Sequence, residues 1–167
     1  MIDNKVLQAL NDQLNFEFYT SNVYLQMSAW AANEGLEGCS LFLAAHSKEE
    51  LEHMYKLFDY INDRGNCAEV AQIPAPKSNF KNVVEMFDEL YAQELEATSE
   101  INKLAALAFK EADLATFNFL QWFISEQIEE EGLIRHIQDK IKLIGNMPDA
   151  NYLIDQEVHK LVGKAAV

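Results

Sequence analysis

The sequence predicts an all-α chain: an antiparallel four-helix bundle with one long crossover and a short fifth helix at the C-terminal end. Three observations lead there. Apolar residues recur at alternating steps of three and four over stretches of about thirty residues, which is the period of a helix face turned to a core. Only 6 Gly and 3 Pro occur among 167 residues, leaving room for long helices. One stretch, 65–82, gathers Gly65, Asn66, Pro74, Pro76 and Ser78 and interrupts the helical pattern. A break of that length is expected where the chain must travel the full height of a bundle before turning back. The whole of 1–167 reads as one domain, long enough to bury a sizeable core.

The first helix is expected over 4–33. Asp3 and Asn4 are good N-caps, and Gly35 is a stop signal. Its stripe is Leu10, Leu14, Glu17, Ser21, Tyr24, Ser28 and Ala31, with a carboxylate where a core residue belongs. The second helix is expected over 36–64 with Gly65 behind it, and the short link makes the two antiparallel neighbours. Its stripe is Leu43, His46, Glu50, His53, Leu57 and Tyr60. After the crossover, the third helix is expected over 83–110, with Phe87, Leu90, Glu94, Ala97, Ile101, Leu104 and Ala108 inward. The fourth is expected over 113–144, ending at Gly145-Asn146, with Leu120, Phe123, Gln127, Glu130, Ile134, Ile137, Ile141 and Ile144 inward. The fifth is expected over 150–163 after Pro148, with an apolar face of Tyr152, Leu153, Val158, Leu161 and Val162; Lys164 to Val167 are expected to fray.

Acidic residues outnumber basic ones, 27 against 13, for a formal charge of -14. That balance disfavours nucleic acid as a partner and favours cations. Met1 to Lys5 carry no basic region followed by an apolar run, so no secretory leader is expected. No apolar run reaches the roughly 20 residues a membrane span needs. Cys39 and Cys67 are far apart and read as free thiols, which suits a cytoplasmic setting.

Four stripes are thus interrupted by polar groups at compatible depth. Glu17 and Glu94 stand alone; Glu50-x-x-His53 and Gln127-x-x-Glu130 come as pairs three residues apart, hence on one face. Buried charges are normally paired or metal-bound. Carboxylate oxygens with one imidazole suit iron or manganese, and a set without thiolates is a poor structural zinc site.

The chain resembles the bacterial non-haem ferritins over essentially its whole length. The residues that carry the resemblance are Asn15-x-Glu17 and Tyr24, Glu49-Glu50-x-x-His53, Glu94, and Thr116-Phe117-Asn118-Phe119-Leu120-Gln121-Trp122 leading to Glu126-Gln127-x-Glu129-Glu130. The resemblance implies a ferritin-like bundle, a homo-oligomeric shell of 24 subunits that stores ferric mineral, and a ferroxidase centre inside each subunit. It implies that Glu17, Glu50 and His53 hold the first iron and Glu94 and Glu130 the second, with Glu50 bridging and Gln127 close by. It implies a third iron site at Glu49, Glu126 and Glu129 with Glu130 shared, and Tyr24 beside the centre as a possible electron donor. Iron(II) and dioxygen or hydrogen peroxide are the implied reactants. Trp122 matches a position near the site, where it is either a packed indole or an electron-transfer group; Glu131 reads as solvated surface. Gln127-x-x-Glu130 in place of a second Glu-x-x-His tells against the symmetric di-iron site of bacterioferritins and rubrerythrins. Bacterioferritins place a haem-binding Met directly after the second-helix Glu; Leu51 stands there, so no haem is expected.

A cytokine-like bundle would show two long crossovers, and this chain has one. The fifth helix, four ligand positions within one subunit and the lack of a basic tail speak against a DNA-protecting mini-ferritin.

Overall fold

The computed structural model describes residues 2–163. It is all-helical, with α1 Asn4–Asn33, α2 Glu37–Asp63, α3 Val83–Lys110, α4 Leu114–Ile144 and α5 Ala150–His159. The expected fraying of Lys164 to Val167 lies outside the described residues. Helix α1 packs along α2 and α3, α3 along α4, and α5 against α2 and α4. No described helix is long and apolar enough to cross a membrane.

Local chemistry fixes the ends. The Asp3 carboxylate accepts from Lys5 N–H at 2.8 Å and opens α1. Gly35 closes it at φ 76°, with Leu36 N–H donating back to Ala31 O at 2.9 Å. Asn82 caps α3 through Glu85 N–H at 2.9 Å, and Glu85 reaches back to accept from Lys81 N–H at 2.6 Å. Asp113 caps α4 through Thr116 N–H at 3.1 Å and also meets Arg64, just past the end of α2, at 3.3 Å.

The crossover is extended and fastened to α1 by two asparagines. Asn11 Oδ1 accepts from Glu69 N–H at 2.9 Å. Asn15 accepts from Ala71 N–H at 2.7 Å and donates to Glu69 O at 2.8 Å. Trp30 meets Phe80 edge-on further along. These contacts satisfy backbone groups that a long loop would otherwise leave to water.

The core comes in two apolar halves. One holds Tyr24, Phe42, Leu43, Met86, Phe87, Leu90, Ile134 and Ile137; the other holds Leu10, Leu14, Leu57, Ile61, Ile101, Leu104, Leu120 and Phe123. On every long helix the polar interruption falls between the two: Glu17, Glu50 with His53, Glu94, and Gln127 with Glu130 are all buried. The fold therefore brings four separate interruptions to one level.

Helix α5 departs from the sequence expectation. It ends at His159, and 160–163 are turns closed by Gly163 at φ 78°. Of the expected face, Val158 is buried and Leu161 packs against the core, whereas Tyr152 and Val162 are exposed; Ile154 and Asp155 face inward as well. The reason is a cap supplied from a distance. Leu36 offers α2 no side chain for its first turn, and Asp155 Oδ1 accepts from Cys39 N–H at 2.8 Å. A carboxylate at a helix N-terminus also meets the positive end of the helix dipole. Gly38 permits the approach, because a Cβ there would lie 2.5 Å from Asp155 O and 2.6 Å from His159 Cβ. Cys39 and Cys67 are both free thiols, the first buried and the second exposed. Burial, reinforced by the Asp155 carboxylate, pushes the Cys39 thiol far up.

Gly38→Ala should therefore dislodge α5, whereas Asp155→Asn, which keeps an accepting oxygen, should leave it docked. Limited proteolysis of the 145–149 link, with thermal unfolding alongside, reads the difference. Asp155→Ala should cost about 1–3 kcal/mol through the orphaned N–H.

Candidate metal centre

The polar layer has acceptors in excess and almost no donors. Among the described residues, the buried charged groups are Glu17, His46, Glu50, His53, Glu94, Glu130 and Asp155; no Lys or Arg is buried. The three-residue spacing on α2 sets Glu50 Oε2 3.2 Å from His53 Nδ1. Glu17 crosses from α1, and one ligand atom each from Glu17, Glu50 and His53 lies within 4.8 Å of the others. Gln13 Nε2, one turn earlier on α1, donates to Glu17 Oε1 at 2.7 Å. Only two carboxylates and a single imidazole remain at that point to neutralise one another.

Glu94 is held differently. Tyr24 OH donates to its Oε1 at 2.7 Å, and Gln127 Nε2 sits 3.3 Å from both its Oε2 and its main-chain oxygen. Gln127 thereby orients the α3 carboxylate that it faces. Glu130 turns the other way. Its Oε2 lies 3.6 Å from His46 Nε2, and His46, Glu49 and Glu130 form a second group of atoms within 4.8 Å.

An open pocket of about 390 Å³ reaches this layer from solvent, lined by Glu49, Glu52, His53, Lys56, Trp122, Glu126 and Glu130. Trp122 meets the His53 ring edge-on at 5.2 Å, and Lys56 Nζ lies 4.1 Å above the indole. Glu126 lines the pocket but joins neither ligand group. Glu129 is exposed and joins neither group. Glu131, expected as solvated surface, is half-buried and accepts from Thr98 Oγ1 at 2.5 Å.

His46 is the residue that sequence reading passed over. It lay on the inward stripe and read as core. The available signal was His46-x-x-Glu49, the same spacing as Glu50-x-x-His53, written in reverse one turn earlier.

Burial sets the electrostatics. It raises Glu17 well above the usual carboxylate range, with Glu50 adding to the rise. It raises Glu50 likewise, helped by Glu94 and Glu130. Glu94 is raised by burial against the opposing hydrogen bond from Tyr24. Glu130 is pushed up to about 9, by burial first and then by Glu94. Half-buried Glu49 is raised by burial as well. The Tyr24 hydroxyl is raised by burial and then by Glu94, so it stays protonated and donating. His46 is lowered by burial and stays neutral. Glu130 thus holds a proton near neutrality, the other buried carboxyl groups are shifted in the same direction, and a bound cation would displace such protons.

The sign of the pH dependence follows. Glu130 keeps its proton up to about 9 when folded, against 4.5 ordinarily, so its contribution to stability is full below 4.5 and is lost as pH rises towards 9. His46, lowered from 6.5, acts oppositely but only below that value. Metal-free protein should therefore lose stability between pH 6.5 and 9, by about 1.4 kcal/mol per pH unit for each proton retained. Glu130→Gln should flatten this fall in denaturant titrations; an unchanged slope would contradict the raised pKa.

The ferritin-like domain family matches residues 7–144. The chain is 44% identical over 165 residues to a probable bacterial non-heme ferritin-like protein of Haemophilus influenzae, covering 99% of this chain and 100% of that one. It is 42% identical over 161 residues to the bacterial non-heme ferritin of Escherichia coli O6:H1, covering 96% and 98%. Among solved structures, an open pore ferritin from Archaeoglobus fulgidus superposes with a TM-score of 0.92 at 35% identity, covering 95% of this chain and 98% of that one. A four-helix bundle with one long crossover, a carboxylate and histidine layer at mid-height and full-length relatives on this scale lead to one conclusion: the chain belongs to the ferritin family.

Proposed function

We propose that the chain is an iron-storage protein with ferroxidase activity, oxidising Fe(II) to Fe(III) at a two-iron centre inside each subunit. Ferric mineral then collects in the cavity of a 24-subunit shell of identical chains. The observation that carries this reading is the buried layer of Glu17, Glu50, His53, Glu94 and Glu130, rich in oxygen donors and without a basic side chain other than imidazole. That donor set suits iron in both oxidation states.

In this reading Glu17, Glu50 and His53 hold the first ferrous ion. Glu94 and Glu130 hold the second, with Glu50 bridging the two and Gln127 fixing Glu94. Two irons roughly 3.5–4 Å apart give up one electron each. Together they reduce dioxygen with two protons to hydrogen peroxide, or hydrogen peroxide with two protons to water. The protons held by the buried carboxyl groups leave as ferrous ions bind. Tyr24, whose hydroxyl donates to Glu94, holds that carboxylate beside the second iron. Glu49, Glu126 and Glu129, with Glu130 shared, are the third position on the way to the cavity. The acidic pocket and the charge of -14 draw ferrous ions inward. A cytoplasmic location fits this role.

Stopped-flow absorbance after mixing metal-free protein with ferrous iron and oxygen tests the centre. Wild type should show a fast phase that saturates near about two irons per chain, as a two-metal site requires, and Glu50→Ala/His53→Ala should lack it. Equal slow traces in both would overturn the proposal.

A further inference from the structure

Glu131 follows Glu130 on α4, yet its partner lies on α3: it is half-buried, and its Oε1 accepts from Thr98 Oγ1 at 2.5 Å. A threonine hydroxyl inside a helix commonly donates to the carbonyl four residues back, the acceptor nearest to it. For Thr98 that carbonyl is Glu94 O. Here the hydrogen goes to Glu131, and Glu94 O takes a different donor, Gln127 Nε2 at 3.3 Å.

The directions of the neighbouring hydrogen bonds are then forced. A hydroxyl has one hydrogen, and that of Thr98 is committed to a carboxylate, so towards Gln127 it only accepts. Glu94 O also only accepts. The Gln127 atom 3.3 Å from each of them is therefore the amide nitrogen and not the amide oxygen. The same nitrogen lies 3.3 Å from Glu94 Oε2, and Tyr24 OH donates to Glu94 Oε1 at 2.7 Å. Each oxygen of the Glu94 carboxylate thus meets a donor, and one of those donors is aimed by groups outside the buried layer. Helical spacing makes this possible: Thr98 stands four residues after Glu94 on α3, and Glu131 four after Gln127 on α4. Glu94 and Gln127 are buried, and Thr98 and Glu131 are half-buried one turn further on.

We infer that Thr98 and Glu131 are positioning residues for the metal position at Glu94. The Glu131 carboxylate draws the Thr98 hydrogen away from Glu94 O, which leaves the Gln127 amide in place to hold the Glu94 carboxylate. The inference rests on the proposed two-iron reading and deepens it. Neither residue belongs to a group of candidate ligands. Without Glu131, the Thr98 hydroxyl turns back onto Glu94 O and displaces the amide. Without the Thr98 hydroxyl, the amide loses one of its three acceptors. In both cases Glu94 loses its fixed orientation, while Glu17, Glu50 and His53 lie outside this network and keep theirs.

Co(II) titration of metal-free protein, followed by calorimetry and visible absorbance, tests this in wild type, Thr98→Val, Thr98→Ser, Glu131→Ala and Glu94→Ala. Wild type should fill two classes of site, and Glu94→Ala should lose one. Valine keeps the shape of threonine and removes the hydroxyl. Thr98→Val should bind Co(II) about tenfold more weakly at that same class, the lower end for groups that orient a ligand, with an altered visible band and the other class unchanged. Thr98→Ser, which keeps the hydroxyl, should restore both affinity and band, and Glu131→Ala should weaken the class that Thr98→Val weakens. If Glu94→Ala loses a class while Thr98→Val matches wild type, or if Thr98→Ser behaves like Thr98→Val, the positioning role is wrong and the two-iron centre stands. If Glu94→Ala loses no class, the two-iron reading falls and the positioning role falls with it. Should Thr98→Val not fold, Glu131→Ala decides: an isotherm like that of wild type overturns the role.

Discussion

Four glutamates are buried at the centre of a helical bundle, and among the described residues no lysine or arginine is buried with them. Charged carboxylates cannot share such a space at neutral pH unless something compensates. Without a cation, burial raises Glu17, Glu50, Glu94 and Glu130 alike and so favours their protonated forms. With a cation they can ionise. The neutralisation of this layer ties stability, proton balance and metal binding together.

The rest of the molecule holds that layer level. Two apolar cores grip the helices above and below it, so the polar residues contribute chemistry and the hydrocarbon contributes fold. Neighbouring groups orient the members of that layer. Gln13 holds Glu17, Tyr24 and Gln127 hold Glu94, and the Phe42 carbonyl holds His46. Even the crossover takes part: Asn11 and Asn15 fasten it to α1 beside Glu17.

Much of this is legible in the sequence, because a helix writes its inward face at steps of three and four. The stripes through Glu17, Glu50, Glu94 and Glu130 are buried as that rhythm requires, except for half-buried Tyr60 and Ile144, and an all-helical ferritin fold is what the chain adopts. Periodicity says which way a side chain points and nothing about what it meets. It could not distinguish His46 from a core histidine, since the difference is the direction of one lone pair. It missed Asp155, whose partner at Cys39 lies on another helix. On α5, a short helix with few turns to define a stripe, it found Val158 and Leu161 but took exposed Tyr152 and Val162 for core and passed over Ile154. Glu126 and Glu129 reach their places by resemblance alone; Glu126 lies in the pocket and Glu129 on the surface.

The central claim is that the layer exchanges protons for cations. Proton release on binding redox-inert Zn(II) measures this directly, by calorimetry in buffers of different ionisation enthalpy at pH 7. The account requires release of at least about one proton per chain, diminishing as the pH approaches 9, where Glu130 ionises unaided. Zn(II) uptake with no proton release at pH 7 would mean that the carboxylates are already ionised in the metal-free bundle, and would contradict it.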